Sequence, residues 1–167
     1  MARAEAPQHS LANATNRFDS QEAATASMLS KALSQPVTQL ERIGGGRNSK
    51  VYKVTCSDTA TYAAKLYFHH PAQDRRRLDA EFSGLQFMWE NGLRCVPRPI
   101  VLDRQNGFGV YEYIEGEKIL PGRVTGSDVD SAVDFLVRLK GLRNRTNSKG
   151  LPWAAEACFS VQAIVDN

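Results

Sequence analysis

The chain has 167 residues, 42% of them hydrophobic and 23% charged, with a net charge of +3. That is the size of one domain or little more and the composition of a soluble globular protein. The charge is too mild to point to nucleic acid as a partner. Cys56, Cys95 and Cys158 are scattered without metal-ligand spacing and read as reduced thiols. No apolar run approaches the about 18 residues of a membrane span, and the N-terminal segment lacks a signal-peptide core. The expected address is the cytoplasm, with no membrane partner.

Met1 to Phe18 is rich in Ala, Asn, Gln and Ser and is expected to fray. Asp19-Ser20-Gln21-Glu22 has the form of a capping box, and the helix it starts should run to about Leu33, with Met28, Leu29 and Leu33 on one side. Pro36 ends it. Two strands are predicted next, Val37 to Ile43 and Lys50 to Thr55. Between them lie Gly44, Gly45, Gly46, Arg47, Asn48 and Ser49. Glycine lets a ligand approach the main chain, and successive exposed N–H groups make a concave site for an anion such as phosphate. Such a loop between two strands suggests a flap over phosphates, not a P-loop. By itself it is equally a bare hairpin with no ligand.

Thr61 to Phe68 reads as a third strand, apolar on both faces except for Lys65. An unpaired buried ammonium is costly, so Lys65 either snorkels from a half-exposed strand or meets an acid. His69-His70-Pro71 breaks the strand and lacks metal partners at useful spacing, so it reads as a solvated turn. Asp74 to Asn91 carries the strongest helical pattern, with Leu78, Phe82, Leu85, Met88 and Trp89 as its buried face and Gly92 closing it. Glu81 falls at the edge of that face, and Arg75-Arg76-Arg77 reads as a solvated helix end. Val96-Pro97-Arg98-Pro99 forces an extended approach to a fourth strand, Ile100 to Leu102. Asn106-Gly107 is a hairpin turn into a fifth, Phe108 to Ile114, and Glu115-Gly116 lets the chain change direction. Ser127 or Asp128 should cap a helix from about Val129 to Leu142, with Val129, Val133, Leu136, Val137 and Leu139 as core. A last helix is expected over Trp153 to Val165.

Five strands, one helix between the third and fourth, a glycine flap, and a strand lysine with an acid sixteen residues on resemble the small lobe of the protein-kinase fold. Gly44-x-Gly46-x-x-Ser49-x-Val51 follows the glycine-loop pattern with Ser49 in place of the third glycine, and Ala63-Ala64-Lys65 resembles the Ala-x-Lys strand. Gly45 to Ser49 followed by Val51-Tyr52-Lys53-Val54, the Val96-to-Pro99 segment, and Val110-Tyr111-Glu112-Tyr113-Ile114-Glu115-Gly116 are similar to the aminoglycoside-phosphotransferase and choline-kinase-like branch. The resemblance covers residues 37–145. It implies an α+β fold: a five-stranded antiparallel sheet with one αC-type helix, then helices that begin a large lobe. The implied domains are an extension at 1–36, the small lobe and hinge at 37–116, and the start of a helical large lobe at 117–167.

The resemblance also implies roles. Main-chain groups of Gly44 to Ser49, with Arg47 and Asn48 at the tip, would cradle ATP phosphates, and Val51 and Ala63 would cover the adenine. Lys65 would hold the α- and β-phosphates and be positioned by Glu81. Tyr111 would back the pocket, and main-chain groups of Glu112 and Ile114 would meet the adenine edge. Mg²⁺ would be held by a later H-R-D-x-x-x-x-N-type loop and a further Asp. No Asp after the hinge has Asn at that spacing, so the chain is expected to be the ATP-grasping part of a small-molecule kinase, inactive alone, with a small hydroxylated substrate bound elsewhere. Two other readings stay open. One is a non-catalytic kinase-like module that binds a nucleotide or a protein. The other is an α+β interaction domain without nucleotide. An apolar face left on the C-terminal helices is expected to favour self-association.

Overall fold

In the computed structural model, residues 18–68 and 76–152 are described. The chain opens with helix α1 (Ser20–Leu33) and continues through strands β1 (Val37–Gly45), β2 (Ser49–Cys56) and β3 (Thr61–Tyr67). Helix α2 (Arg76–Glu90), strands β4 (Pro99–Asp103) and β5 (Phe108–Glu112), and helix α3 (Gly126–Gly141) follow, with two short 3₁₀ turns to Gly150. The expected histidine turn and the Trp153-to-Val165 helix lie outside the described residues.

The five strands form one antiparallel sheet in the order β1-β2-β3-β5-β4. This is the α+β arrangement expected of a kinase-like small lobe. Antiparallel partners share a face, so the register sorts the side chains. Tyr52, Ala64 and Val110 line up across β2, β3 and β5, as do Val54 and Tyr62. Against this outer face lies α1, and Leu29, fully buried, packs with Tyr52, Val54, Ala64, Phe108 and Val110 to form the main core. The helix starts where the sequence indicated: the Asp19 carboxylate accepts from the Glu22 N–H at 2.8 Å and the Glu22 carboxylate from the Asp19 N–H. Ser30 fixes its far end to the sheet, since its Oγ accepts from the Val37 N–H at 2.9 Å.

The opposite face carries Val51, Lys65 and Gly109 in one cross-strand row and Lys53, Ala63 and Tyr111 in the next. α2 lies on this side: Phe82 stacks against Tyr111, with ring centroids 5.9 Å apart. Leu78 is buried as expected, whereas Phe82, Leu85, Met88 and Trp89 are half-buried. A second core, not foreseen, joins Phe87, Leu93 and Leu142 with Met88, Phe135, Leu139 and Leu151. α2 is therefore covered on two sides, by the sheet and by the end of α3.

Helix α3 departs from expectation in two ways. Its cap is Thr125 rather than Ser127 or Asp128: the Thr125 hydroxyl accepts from the Asp128 N–H, and the Asp128 carboxylate accepts from the Thr125 N–H at 2.7 Å. Its packing residues are Phe135 and Leu139, continued by Leu142, while Val129, Val133, Leu136 and Val137 are between 51% and 63% exposed. Only the end of the helix meets α2, so the apolar positions nearer its start have no wall to pack on among the described residues.

Candidate functional site

The glycine loop is tighter than the sequence suggested. β1 pairs through Gly44 and Gly45, opposite Val51 and Lys50, and β2 begins at Ser49. Only Gly46, Arg47 and Asn48 remain at the tip. Gly45 has φ +129°, and a Cβ there would lie 2.6 Å from the Ser49 carbonyl oxygen and 2.9 Å from Lys50 Cα. Both are main-chain atoms, which no rotamer change can move aside, so glycine is required. Gly46 donates its N–H to the Ser49 carbonyl at 2.9 Å, and the Asn48 carbonyl accepts from the Phe68 N–H at 3.0 Å. The second bond ties the tip to the end of β3.

That tie bears on geometry. Gly44, Val51, Lys65 and Gly109 are successive partners across β1, β2, β3 and β5. Hairpin and lysine thus share one end of the sheet. Lys65 Nζ forms an ion pair with the Glu81 carboxylate from α2. The two side chains are 27% and 33% exposed, so the pair is half-buried, neither sealed in the core nor free in water. Of the two readings left open for Lys65, the partnered one holds.

Tyr111 leans along β5 over Gly109, where a Cβ would come within 2.5 Å of its hydroxyl. Tyr67, two residues beyond Lys65, occupies the same face, and its ring centroid lies 5.1 Å from Lys65 Nζ. Both hydroxyls are buried and neither makes a hydrogen bond of good geometry. Burial, then the nearby charge of Glu81, raises the pKa of Tyr111 above the usual tyrosine range. Burial raises that of Tyr67 also, with Tyr111 and Glu81 adding to the effect. Both phenols are therefore neutral donors near neutral pH. Tyr67 was not singled out in the sequence. Its signal was the period of two from Lys65.

In the neighbouring cross-strand row, Lys53 bonds Glu115 at 2.9 Å and sits 4.2 Å from the centroid of the Tyr113 ring. Its pKa is raised, chiefly by the Glu115 hydrogen bond. Glu112 is exposed, and its N–H donates to the Arg98 carbonyl at 2.8 Å. Ile114 lies beyond the end of β5 and is 52% exposed. Arg47 is exposed at the hairpin tip, beside the half-buried Asn48. No helix among the described residues is long and apolar enough to cross a membrane.

The family model described as "Phosphotransferase enzyme family" matches residues 39–161. The chain belongs to that family. No curated protein matches it. Among solved structures, it is similar to a protein from Thermobifida fusca YX-ER1 provisionally described as a fructosamine-3-kinase, with 19% identity and a TM-score of 0.47. That likeness covers 59% of this chain and 33% of the other. The matched stretch contains the glycine hairpin, Lys65 and Glu81.

Proposed function

We propose that this chain forms the nucleotide-holding lobe of an ATP-dependent phosphotransferase that transfers the γ-phosphate to the hydroxyl of a small compound in the cytoplasm. The observation that carries the reading is the ion pair between Glu81 of α2 and Lys65, which lies in the cross-strand row that contains Gly44 and Val51. Residues 37–116 are the lobe and hinge, 1–36 precede it, and 117–167 begin the helical part.

The residues present fit a triphosphate. The main chain carries no side chain at Gly45 and Gly46, and none is tolerated at Gly45. With the Gly46 N–H committed to the Ser49 carbonyl, the N–H groups of Arg47 and Asn48 at the tip would meet phosphate oxygens. Lys65 supplies a cation to the α- and β-phosphates while Glu81 holds its ammonium in place. Val51 and Ala63 offer apolar cover to the adenine, and Tyr111 closes the back. Because the Glu112 N–H is already committed to Arg98, the adenine edge would be met by the Glu112 carbonyl and by the main chain at Ile114.

Bound Mg²⁺ would offset phosphate charge during transfer. Among the described residues no group of three or more His, Cys, Asp or Glu side chains is placed to hold a metal, and no step is assigned to the ion. These residues bind and orient the nucleotide. Transfer itself needs a base and metal ligands, so the chain is expected to be inactive alone.

Isothermal titration with ATP–Mg²⁺ tests the assignment. The chain should bind, and Lys65→Ala should bind at least tenfold more weakly, since charge-assisted phosphate contacts are among the stronger hydrogen bonds. Equal binding by both would remove the role of Lys65. The uncovered face of α3 (Val129, Val133, Leu136 and Val137) is also expected to drive self-association of the chain. Sedimentation as a monomer over a wide concentration range would contradict that.

A further inference from the structure

Just past the main chain assigned to the adenine edge stands a carboxylate with one oxygen held and the other open. Glu115 follows Ile114, and its Oε1 accepts from Lys53 Nζ at 2.9 Å. Lys53 belongs to the row of Ala63 and Tyr111, two residues along β2 from Val51. It therefore rises from the same face of the sheet as Val51 and Lys65, and it draws the carboxylate to the side where the nucleotide is assigned. The Lys53 side chain is 24% exposed, and its ammonium lies 4.2 Å from the centroid of the Tyr113 ring. Glu115 is 77% exposed and has no other partner among the described residues. As a surface ion pair the contact is worth little to the fold. A well-held cation beside an open carboxylate does, however, suit the recognition of neutral donors by a charged acceptor.

We propose that Glu115 is a specificity-determining residue for the nucleotide sugar: its carboxylate, positioned by Lys53, accepts hydrogen bonds from the ribose hydroxyls of ATP. The inference rests on the reading that Glu112 and Ile114 meet the adenine edge, which leaves the sugar beside the residues that follow. An ionised carboxylate only accepts, and it has lone pairs for two neighbouring hydroxyls even with one taken by Lys53. Because Lys53 already fixes the direction of the Glu115 side chain, less rotamer freedom is lost when the sugar arrives.

Titration of the chain with the Mg²⁺ complexes of ATP, 2′-deoxy-ATP and 3′-deoxy-ATP reads the sugar contact directly. The parent should bind at least one deoxy nucleotide about fivefold to tenfold more weakly than ATP, the lower range for a hydrogen bond to a charged group, as suits an exposed acceptor. Glu115→Ala should abolish that preference by weakening ATP alone, to the level of the deoxy analogue. Lys53→Met, which keeps the stem and removes the ammonium, should shrink the preference. Glu117→Ala, at an exposed acid two residues on, should keep it. A purely structural tie between β2 and the hinge would instead weaken all three nucleotides together. The inference is overturned if the parent binds the three within twofold, if Glu115→Ala retains the parent's ratio, or if Glu117→Ala abolishes it. Lys65→Ala separates this contact from the phosphate assignment, since it should weaken all three nucleotides equally and leave their ratio intact. ATP binding by Lys65→Ala equal to that of the parent overturns the phosphate assignment, while the ratio in Glu115→Ala still decides this inference. No ATP binding by the parent overturns the nucleotide reading, and this inference with it.

Discussion

Leu29→Ala tests whether α1 is part of the lobe or an attachment to it. Leu29 is fully buried among Tyr52, Val54, Ala64, Phe108 and Val110, of which Val54, Ala64, Phe108 and Val110 are themselves 0% exposed. Truncating a buried leucine costs about 2–5 kcal/mol, with the higher values where surroundings cannot collapse into the hole. Here the walls are side chains of three hydrogen-bonded strands, which resist movement, so about 3–4 kcal/mol is expected. Each kcal/mol moves the melting temperature by roughly 2–4 °C in a chain of this size, which gives a fall of about 6–16 °C by calorimetry. Val129→Ala, at a position 52% exposed, should stay within about 0.5 kcal/mol. A loss below about 1 kcal/mol for Leu29→Ala, or equal losses for the two, would refute the packing argument and leave α1 a loose appendage.

Gly45→Ala should damage the hairpin through its positive φ and its main-chain clash, together about 2–4 kcal/mol of local strain. Gly46→Ala, whose Cβ meets nothing within 4 Å, should be nearly silent. Amide exchange at residue 46, whose N–H bonds Ser49, reads the difference, and similar exchange in both variants would contradict the geometry. The raised pKa of Tyr111 predicts an alkaline weakness. A folded-state value above the unfolded one, about 10, means that the stabilisation is complete below pH about 10 and is lost as pH rises beyond it. The slope should be about 1.4 kcal/mol per pH unit for this 4%-exposed phenol. Tyr111→Phe should flatten denaturant-measured stability above pH about 10 by that amount, and an unchanged slope would count against burial of the phenol.

The parts of the site legible in the sequence were those where charge contradicted its surroundings. Lys65 stood alone in an apolar strand and Glu81 at the edge of an apolar helix face, and the structure joins them. The capping box at Asp19 was legible because its bonds are local. What escaped depends on partners distant in sequence. Phe87 and Leu93 were missed because α2 is covered on two sides, whereas a single helical stripe describes burial on one. Val129, Val133, Leu136 and Val137 form an apolar stripe, and a stripe records a tendency to be covered without saying by what. Thr125 was passed over because Ser127 and Asp128, equally good caps by type, follow within three residues. Tyr67 escaped because a tyrosine in a strand is ordinary until its hydroxyl is found buried beside Tyr111 and Glu81.

The most direct test of the central claim is an amide NMR titration of the chain with ATP–Mg²⁺. The account predicts shifts concentrated at Gly44 to Ser49, Val51, Ala63, Lys65 and Tyr111 to Ile114, with the α1 resonances still. Shifts centred on α1 or α3, or none at saturating nucleotide, would contradict it.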